Sequence, residues 1–397
     1  MARQYEQTHP HLSFRVDLSA AQPQLWIALG ECQSKCEHLA RVPLRPDTAR
    51  RLNIVYLAKG ALGTTAIEGN TLSEEEVVQH IDGKLDLPPS RQYLADEIDR
   101  IIGGCNAILE KLTHHPAAPL SVETITWLNR QVLEGLAVGE DVVPGKLREH
   151  SVLVGRYRGA PAEDCEYLLE RLCRWLNGPD FTAPSSDLTV VYALLKAIIA
   201  HLYVAWIHPF GDGNGRTARL LEFLILVGAG VPAVSTHLLS NHYNLTRSAY
   251  YRELDNASRT GGNLLPFLWS AVEGFRDGLR DQLKAIWAQQ HDVIWRNYVH
   301  EYFREYEDTE AGVRRRRLAL GLSLHPEPVP RAKLPEVSTS IAAAYAKVAD
   351  RTMDRDIEFL LQHKLVIRTS EGYSANRELI HGFMTPRAPQ RSDGSTT

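Results

Sequence analysis

Residues 208–219 bring a histidine, an aspartate, two arginines and several glycines together in one short run, HPFGDGNGRTAR. Glycines let a backbone turn tightly and approach a ligand closely. The apolar residues that follow predict a helix from about Arg216 to Val227. The unpaired N–H groups at the start of a helix attract anions. The run therefore predicts a phosphate site.

The charged side chains of this run indicate what is done to the phosphate. Arg216 and Arg219 are three positions apart and share one helix face, where their planar guanidinium groups suit phosphate oxygens. Asp212 is an oxygen ligand for magnesium, which typically binds one or two carboxylates plus substrate phosphates. His208 has an ordinary pKa of about 6.5, near the working pH of a general base. The set predicts group transfer at phosphorus.

Taken singly, a glycine-rich loop or a lone histidine is more often structural than functional. The whole run, however, matches the signature of the Fic family, His-x-Phe-x-Asp-Gly-Asn-Gly-Arg-x-x-Arg, at every position. The stretch GKLREHSVLVG (145–155) and the pair Tyr250-Tyr251 also resemble family members, and the similarity covers roughly residues 45–275. The resemblance implies a helical core with a β-hairpin flap. It also implies transfer of AMP from ATP to a Ser, Thr or Tyr hydroxyl of a target protein, with the enzyme itself as one candidate target.

The resemblance assigns roles to individual residues. His208 would deprotonate the target hydroxyl, and Asp212 would hold Mg²⁺ or Mn²⁺ on the phosphates. The nucleotide-binding residues would be Gly213, Asn214, Gly215, Arg216, Arg219 and Tyr251. In the flap, Val152, Leu153 and Val154 would pair with an extended target segment. Ser258 stands where the family commonly has an asparagine, so no adenine contact is assigned there.

A second element, Thr64-Thr65-Ala66-Ile67-Glu68-Gly69-Asn70, resembles the family's inhibitory motif, Ser/Thr-x-x-x-Glu-Gly/Asn. The residues that carry the motif are Thr64, Glu68 and Gly69. Glu68 is expected to pair with Arg219 in the place meant for the γ-phosphate, so that the chain carries its own inhibitor. An alternative is that Glu68 orients a water for removal of AMP, and the sequence leaves this choice open.

The organisation predicted from apolar spacing is mainly helical. Residues 1–45 are expected to form a helical arm, residues 46–280 the Fic core, and residues 281–383 a smaller helical domain, with a flexible tail at 384–397. The core would hold the inhibitory segment (64–70), the flap (145–155) and the catalytic loop (208–219). Ser73 followed by Glu76 predicts a helix capping box.

Residues 331–378 resemble a winged helix, with residues 351–363 in the position of a recognition helix. The net charge of residues 331–380 is only +1, and Asp354, Asp356 and Glu358 would repel phosphates. The basic run Arg314–Arg317 lies outside the wing and is expected to face solvent. Packing or target docking is therefore the favoured role, and DNA binding is the alternative.

Composition adds few constraints on partners. The net charge of −4 indicates neither a nucleic-acid nor an anionic membrane surface. The five cysteines show no disulfide or zinc spacing, and buried thiols are expected. The first residues show no secretion signal, which predicts a cytoplasmic protein. The apolar stretch 190–207 is expected to be a buried helix, and a homodimer stays open.

Three functions remain at this point. The first is a protein AMP-transferase, and the second is a deAMPylase or phosphotransferase that uses the same site. The third is a DNA-binding regulator acting through the carboxy-terminal domain. An intact His208 and Arg219 favour catalysis.

Overall fold

The computed structural model describes residues 3–114, 118–307 and 309–380. The chain divides into two compact units, Met1–Leu283 and Lys284–Thr397. Most described residues are helical, which confirms the mainly α prediction. The predicted tail, 384–397, lies outside the described residues.

Helices and strands follow in chain order. The helices of the first unit are α1 (Gln4–Thr8), α2 (Pro23–Arg41), α3 (Pro46–Ala66), α4 (Glu74–Ile81), α5 (Gln92–His114), α6 (Val122–Leu133), α7 (Cys165–Leu176), α8 (Thr189–Ile207), α9 (Asn214–Gly228), α10 (Ala233–Thr236), α11 (Leu238–Leu245) and α12 (Arg247–Arg259). Helix α13 (Leu265–Tyr302) contributes residues to both units. The second unit continues with α14 (Glu310–Leu322), α15 (Thr339–Tyr345) and α16 (Asp350–Gln362). The strands are β1 (Leu153–Val154), β2 (Tyr157–Arg158), β3 (Val366–Arg368) and β4 (Tyr373–Ala375).

Helices α8 and α9 pack against each other at the centre of the first unit. Nearly every residue of α8 is buried, as expected of a helix that is apolar on all sides. The stretch Ser186–Ile207 is long and apolar enough to cross a membrane, but 83% of its most apolar window is buried inside the protein. Helix α8 thus has the burial of a core helix, and it presents His208 at its carboxyl end.

The amino-terminal residues, predicted as a separate arm, pack into the first unit. The hydroxyl of Tyr203 on α8 accepts a hydrogen bond from the backbone N–H of Phe14 at 3.0 Å. The side-chain oxygen of Gln33 on α2 accepts one from the N–H of Val190 at 2.8 Å, close to the start of α8. All five cysteines are buried and free, as expected.

The flap is a short antiparallel hairpin, and it extends further along the chain than the predicted segment 145–155. Leu153 pairs with Arg158, and Val154 pairs with Tyr157. The turn is centred on Gly155, whose φ of 59° lies in the left-handed region that glycine tolerates. The prediction stopped at this glycine because the second strand, Tyr157–Arg158, is too short to show an alternating pattern.

The second unit has its own hydrophobic core, which includes Trp295, Phe303, Leu318, Ile341 and Leu360. Its described elements run in the order helix α14, a single bridge between Val329 and Tyr373, helices α15 and α16, and the hairpin β3–β4. This order agrees with the helix, helix and strand-turn-strand predicted for residues 331–378. Classification of the unit as a winged helix stays a prediction.

The charges of the second unit differ from those predicted. Asp356 is buried, with 1% of its surface exposed, and it accepts hydrogen bonds from Arg314 at 3.1 Å and Arg315 at 2.7 Å. Asp354 accepts one from Arg331 at 2.6 Å. The expectation that Arg314 and Arg315 face solvent is therefore wrong, because a buried carboxylate requires paired charges. Asp356 gives no argument about DNA, which stays an alternative hypothesis.

Candidate active site

His208 ends helix α8 in the left-handed conformation, with φ 50° and ψ 58°. Its backbone N–H still donates to the carbonyl of Val204 at 2.9 Å. Its Nδ1 lies 3.3 Å from the carbonyl of Ala205, which can only accept, so Nδ1 carries the proton in this contact. Burial lowers the pKa of His208 to about 4. Near neutral pH the ring is therefore neutral, and Nε2 offers a lone pair.

The catalytic loop closes on itself before helix α9 begins. Gly213, with φ 73°, occupies the N-cap position. The side chain of Asn214 accepts from the N–H of Phe210 at 2.9 Å and donates to the carbonyl of the same residue at 2.8 Å. Asn214 was predicted to bind nucleotide, but both ends of its amide are occupied. Any contact it makes with an anion would come from its backbone N–H, which points out of the first turn of α9.

Arg219 and Glu68 form an ion pair across the site. Glu68 Oε1 lies 2.5 Å from Arg219 Nη2, and the same nitrogen donates to the carbonyl of Thr64 at 2.9 Å. The arginine side chain is 1% exposed and the glutamate side chain 36%. Burial alone raises the pKa of Glu68, but the charge and hydrogen bond of Arg219 outweigh it, so the pKa lies below its ordinary value. The carboxylate is therefore ionised at neutral pH.

The rest of the Arg219 guanidinium has no partner among the described residues. Its Nε and Nη1 are buried and make no hydrogen bond within this part of the chain, and the same holds for the buried Nε of Arg216. A buried donor without an acceptor costs on the order of 1–3 kcal/mol. Three such donors beside the first turn of α9 indicate an incomplete anion site.

The predicted inhibitory segment, residues 64–70, covers the end of helix α3 and the turn that follows it. Gly69 has a φ of 110°, which disfavours any side chain there. The buried amide of Asn70 donates to the carbonyl of Leu94 at 2.8 Å and to Glu97 Oε2 at 2.9 Å. Helix α4 then begins with the predicted capping box of Ser73 and Glu76. The turn that carries Glu68 is thus anchored on both sides.

Asp212 is the one carboxylate of the catalytic loop. Its Oδ1 accepts from the N–H of Gly213 at 2.5 Å and from Arg216 Nη2 at 3.2 Å, and 47% of its side chain is exposed. Among the described residues no group of three or more histidine, cysteine or acidic side chains is arranged to hold a metal ion. A single carboxylate that is about half exposed fits magnesium, which takes most of its ligands from water and substrate phosphates.

A cavity of about 520 Å³ extends from His208 and Gly215 toward the flap and helix α12. Its apolar walls are formed by side chains from four segments, Ile67, Val154, Trp206, Tyr251 and Leu254. The hydroxyl of Tyr251 donates to the carbonyl of Ile67 at 3.4 Å, next to Glu68. The size and the mixture of apolar and polar walls suit a small-molecule ligand. The predicted contact residue Tyr251 therefore shares one cavity with His208.

The predicted flap residues lie near the mouth of this cavity. Val154 lines the cavity, and Leu153 and Val154 are 64% and 43% exposed. The carbonyl of Val152 is already occupied, because it accepts from the N–H of Gly159 at 3.1 Å. Ser258 is not among the lining residues, whereas Asp255, one helical turn earlier, is.

Two further residues at the site were not identified from the sequence. The buried side chain of Asn129 donates to the carbonyl of Asp212 at 3.0 Å and accepts from the N–H of Gly145 at 2.9 Å. Arg148, also buried, donates to the carbonyl of His208 at 2.7 Å. Both lie on segments far from the motif in sequence. The only signal was the resemblance of residues 145–155 to the family's flap.

Comparison with known proteins agrees with this geometry. Residues 119–226, which contain the flap and the catalytic loop, match the model of the Fic/DOC family. The chain is 33% identical over 237 residues to a protein named protein adenylyltransferase fic-1 from Caenorhabditis briggsae. That match covers 58% of this chain and 42% of the relative.

Two solved structures are similar to this one. A Fic family protein from Desulfovibrio desulfuricans aligns over 94% of this chain and 95% of its own, with a TM-score of 0.52 and 20% identity. A segment of Fic-1 from Caenorhabditis elegans aligns over 66% of this chain and 72% of its own, with a TM-score of 0.52 and 25% identity. The fold and site define a helical protein with a hairpin flap beside a glycine-rich loop that opens into a helix. Residues 119–226 of this chain thus form a domain of the Fic/DOC family.

Proposed function

We propose that this protein transfers AMP from ATP to a hydroxyl side chain of a target protein. The observation that carries the proposal is a cavity that reaches the start of α9. The neutral His208 and Gly215 line this cavity, and the unpaired donors of Arg216 and Arg219 lie in the first turns of the same helix. The adenylyltransferase name of the worm relative supports it, although the chain spans only 42% of that relative's length.

In the proposed reaction the triphosphate lies along the first turn of α9. Arg219 would bind the γ-phosphate, and the N–H groups after Gly213 would bind the neighbouring oxygens. Nε2 of His208 accepts the proton of the target hydroxyl while its oxygen forms a bond to the α-phosphorus. The bond between that phosphorus and the bridging oxygen breaks, and pyrophosphate leaves. The product is a phosphodiester between AMP and the target side chain.

Asp212 is the residue that would hold Mg²⁺ or Mn²⁺. When bound, the ion would neutralise charge on the phosphates as pyrophosphate leaves. Arg216, which contacts the same carboxylate at 3.2 Å, orients it toward the loop.

Inhibition by Glu68 is part of the proposal. Its carboxylate pairs with the guanidinium of Arg219, which would otherwise bind the γ-phosphate, so ATP and Glu68 compete for Arg219. A nucleotide could still enter the apolar end of the cavity, but its phosphates would be displaced from the start of α9 and from Arg219. The resting enzyme is then expected to be slow.

The experiment is parallel incubation of the purified protein and a cell lysate with α-labelled and γ-labelled ATP. Incorporation of only the α-label supports AMP transfer. Incorporation of the γ-label would identify a phosphotransferase, and loss of AMP from a pre-modified target would identify a deAMPylase. The variant His208→Ala is the control, and it should lower incorporation by about 10²–10⁴-fold. Incorporation at the unaltered rate would remove His208 from the mechanism.

A further inference from the structure

Arg148 is a buried arginine whose partners are backbone carbonyls. Its Nε donates to His208 at 2.7 Å and its Nη1 to His150 at 2.6 Å. Its Nη2 donates to Ala160 and, at 3.4 Å, to Ile207. Only 4% of the residue is exposed, and no ion pair joins it to a carboxylate within the described ranges. Burying a cation without a counter-ion is costly, so these carbonyl contacts must compensate for lost hydration.

The carbonyls belong to two different parts of the site. His208 and Ile207 form the end of helix α8, whereas Ala160 follows strand β2 of the flap. Backbone contacts join the same segments, because Ala160 N–H donates to Ile207 at 3.2 Å and Arg148 N–H donates to Pro209 at 3.0 Å. The guanidinium therefore lies at the junction between the hairpin and the catalytic histidine.

Gly159 shows how tightly this junction is packed. A β-carbon on Gly159 would lie 3.0 Å from Arg148 Nη2 and 3.0 Å from the β-carbon of His208. Both distances are tighter than ordinary van der Waals contact. The end of the hairpin thus approaches the histidine closely only because residue 159 has no side chain.

The conformation of His208 explains why such a support is needed. A left-handed φ is uncommon for residues other than glycine and is kept only where the surroundings hold it. The carbonyl of His208 is oriented by this conformation, and Arg148 Nε binds that carbonyl. Releasing the carbonyl would let the histidine relax and would move Nε2 relative to the bound phosphate.

We propose that Arg148 is a positioning residue that couples the flap hairpin to His208, so that a target segment docked on the hairpin steadies the catalytic base. The expected effect of Arg148 on turnover rests on the proposed AMP transfer. The coupling itself rests on the contacts alone and can be tested without activity. A guanidinium has donors on three nitrogens and reaches the carbonyls on both sides of the junction, whereas the single ammonium group of a lysine does not.

The kinetic test compares Arg148→Lys and Gly159→Ala with Arg280→Lys, a surface control that removes a guanidinium paired with Glu31. We expect kcat to fall about 10–100-fold in the two junction variants, as for a catalytic group displaced by about 1 Å. The Kd for ATP should stay within about twofold of that of the unaltered protein, because Arg148 lies neither in the cavity wall nor at the start of α9. Equal losses in kcat and ATP binding, or an unchanged kcat in both junction variants, would overturn the proposal.

The test without activity is hydrogen exchange of peptides that cover residues 152–160 and 205–210. In Arg148→Lys both peptides should exchange about tenfold faster, whereas residues 214–228 of α9 should not change. Val154→Pro removes the backbone N–H of the residue that pairs with Tyr157 beside the turn, and it should accelerate residues 205–210 in the unaltered background.

The double variant decides whether the two effects are coupled. Adding Val154→Pro to Arg148→Lys should accelerate residues 205–210 little further, because the connection is already lost. Additive effects would contradict the coupling. If labelled AMP is never incorporated but the exchange results hold, the proposed function fails and the coupling stands. Should Arg148→Lys not fold, Gly159→Ala carries the same exchange test.

Discussion

The carboxylate of Glu68 lies against the backbone of Gly215, so closely that a β-carbon on this glycine would overlap Oε1. Gly215 is in the first turn of helix α9, where N–H groups have no partner within the helix. The glutamate thus takes the position of an anion at the start of a helix while it also pairs with Arg219. The Glu68 side chain therefore contacts both the start of α9 and the Arg219 guanidinium.

Replacing Glu68 by glycine should increase AMP transfer. The substitution frees Nη2 of Arg219 for the γ-phosphate, and it leaves a buried cation that MgATP can neutralise. Incorporation of labelled AMP should therefore rise sharply, and MgATP should raise the Tm of the variant more than it raises the Tm of the unaltered protein.

Two variants serve as controls for the Glu68 substitution. Glu74→Gly removes another glutamate from an ion pair, with Lys59, that lies on the surface, and it should leave the rate unchanged. Glu68→Gly combined with Arg219→Ala should lose the gain, since the γ-phosphate then has no anchor. If Glu68→Gly is no more active with either Mg²⁺ or Mn²⁺, residues 64–70 are not inhibitory.

Gly215→Ala should distinguish two roles of the start of α9, contact with the Glu68 carboxylate and binding of phosphate. In the unaltered background its methyl group collides with the Glu68 carboxylate, so Tm should fall. In the Glu68→Gly background the collision is removed, and the loss of Tm should be smaller, although the methyl group still obstructs phosphate binding. Thermal unfolding and ATP titration measure the two effects.

The matched control for this substitution is Gly30→Ala in helix α2, where a β-carbon meets no neighbouring atom. Alanine there should raise the free energy of unfolding by about 1 kcal/mol, because glycine is a poor helix residue. An equal loss of Tm for Gly215→Ala in both backgrounds would show that Glu68 does not occupy the helix start in solution.

Transfer should require Mg²⁺ or Mn²⁺ and stop in excess chelator. Asp212→Asn should raise the metal concentration needed for half-maximal rate, because an amide oxygen is a weaker ligand than a carboxylate. Asp187→Asn, in a surface turn, is the control. Full activity in chelator would exclude the metal site.

Stability should fall as the pH is lowered from about 6.5 to 4. Burial lowers the pKa of His11, His208 and His237 to about 4 in the folded protein. Between these values the unfolded chain binds protons that the folded chain does not, so the free energy of unfolding decreases. Each unit of pKa difference is worth about 1.4 kcal/mol per group.

Urea unfolding at several pH values measures this slope, and His237→Gln should make it shallower. The pKa of Glu68 is lowered instead, so its contribution is complete above its ordinary pKa and is lost only at lower pH. If the free energy of unfolding does not change between pH 6.5 and 4.5, the pKa values of the buried histidines are not lowered in the folded protein.

The site was predictable where its chemistry lies in one continuous run. His208, Asp212 and Arg219 are brought together by a single turn between α8 and α9, so spacing alone located them. The pairing of Glu68 with Arg219 was inferred because the motif of the resembling family names it. Neither inference needed the path of the chain between the segments.

The remaining features depend on contacts that spacing does not encode. Arg148 acts through carbonyls, which every residue has, so nothing in its neighbours indicates its partners. Asp356 looked like an exposed acid on a polar helix. It turned out to be buried because Arg314 and Arg315, about forty positions earlier, approach it in the folded unit.

The unpartnered nitrogens of Arg219 also bear on product release. Nε and Nη1 could donate equally well to the end of a triphosphate and to free pyrophosphate, so these nitrogens alone do not distinguish substrate from product. Preference for the nucleotide would then come from the apolar walls of the cavity around Tyr251 and Leu254, because pyrophosphate has no base to place there. Under the proposed reaction, turnover would depend on how quickly pyrophosphate is removed from the surroundings of the protein, and on Glu68 returning to displace it.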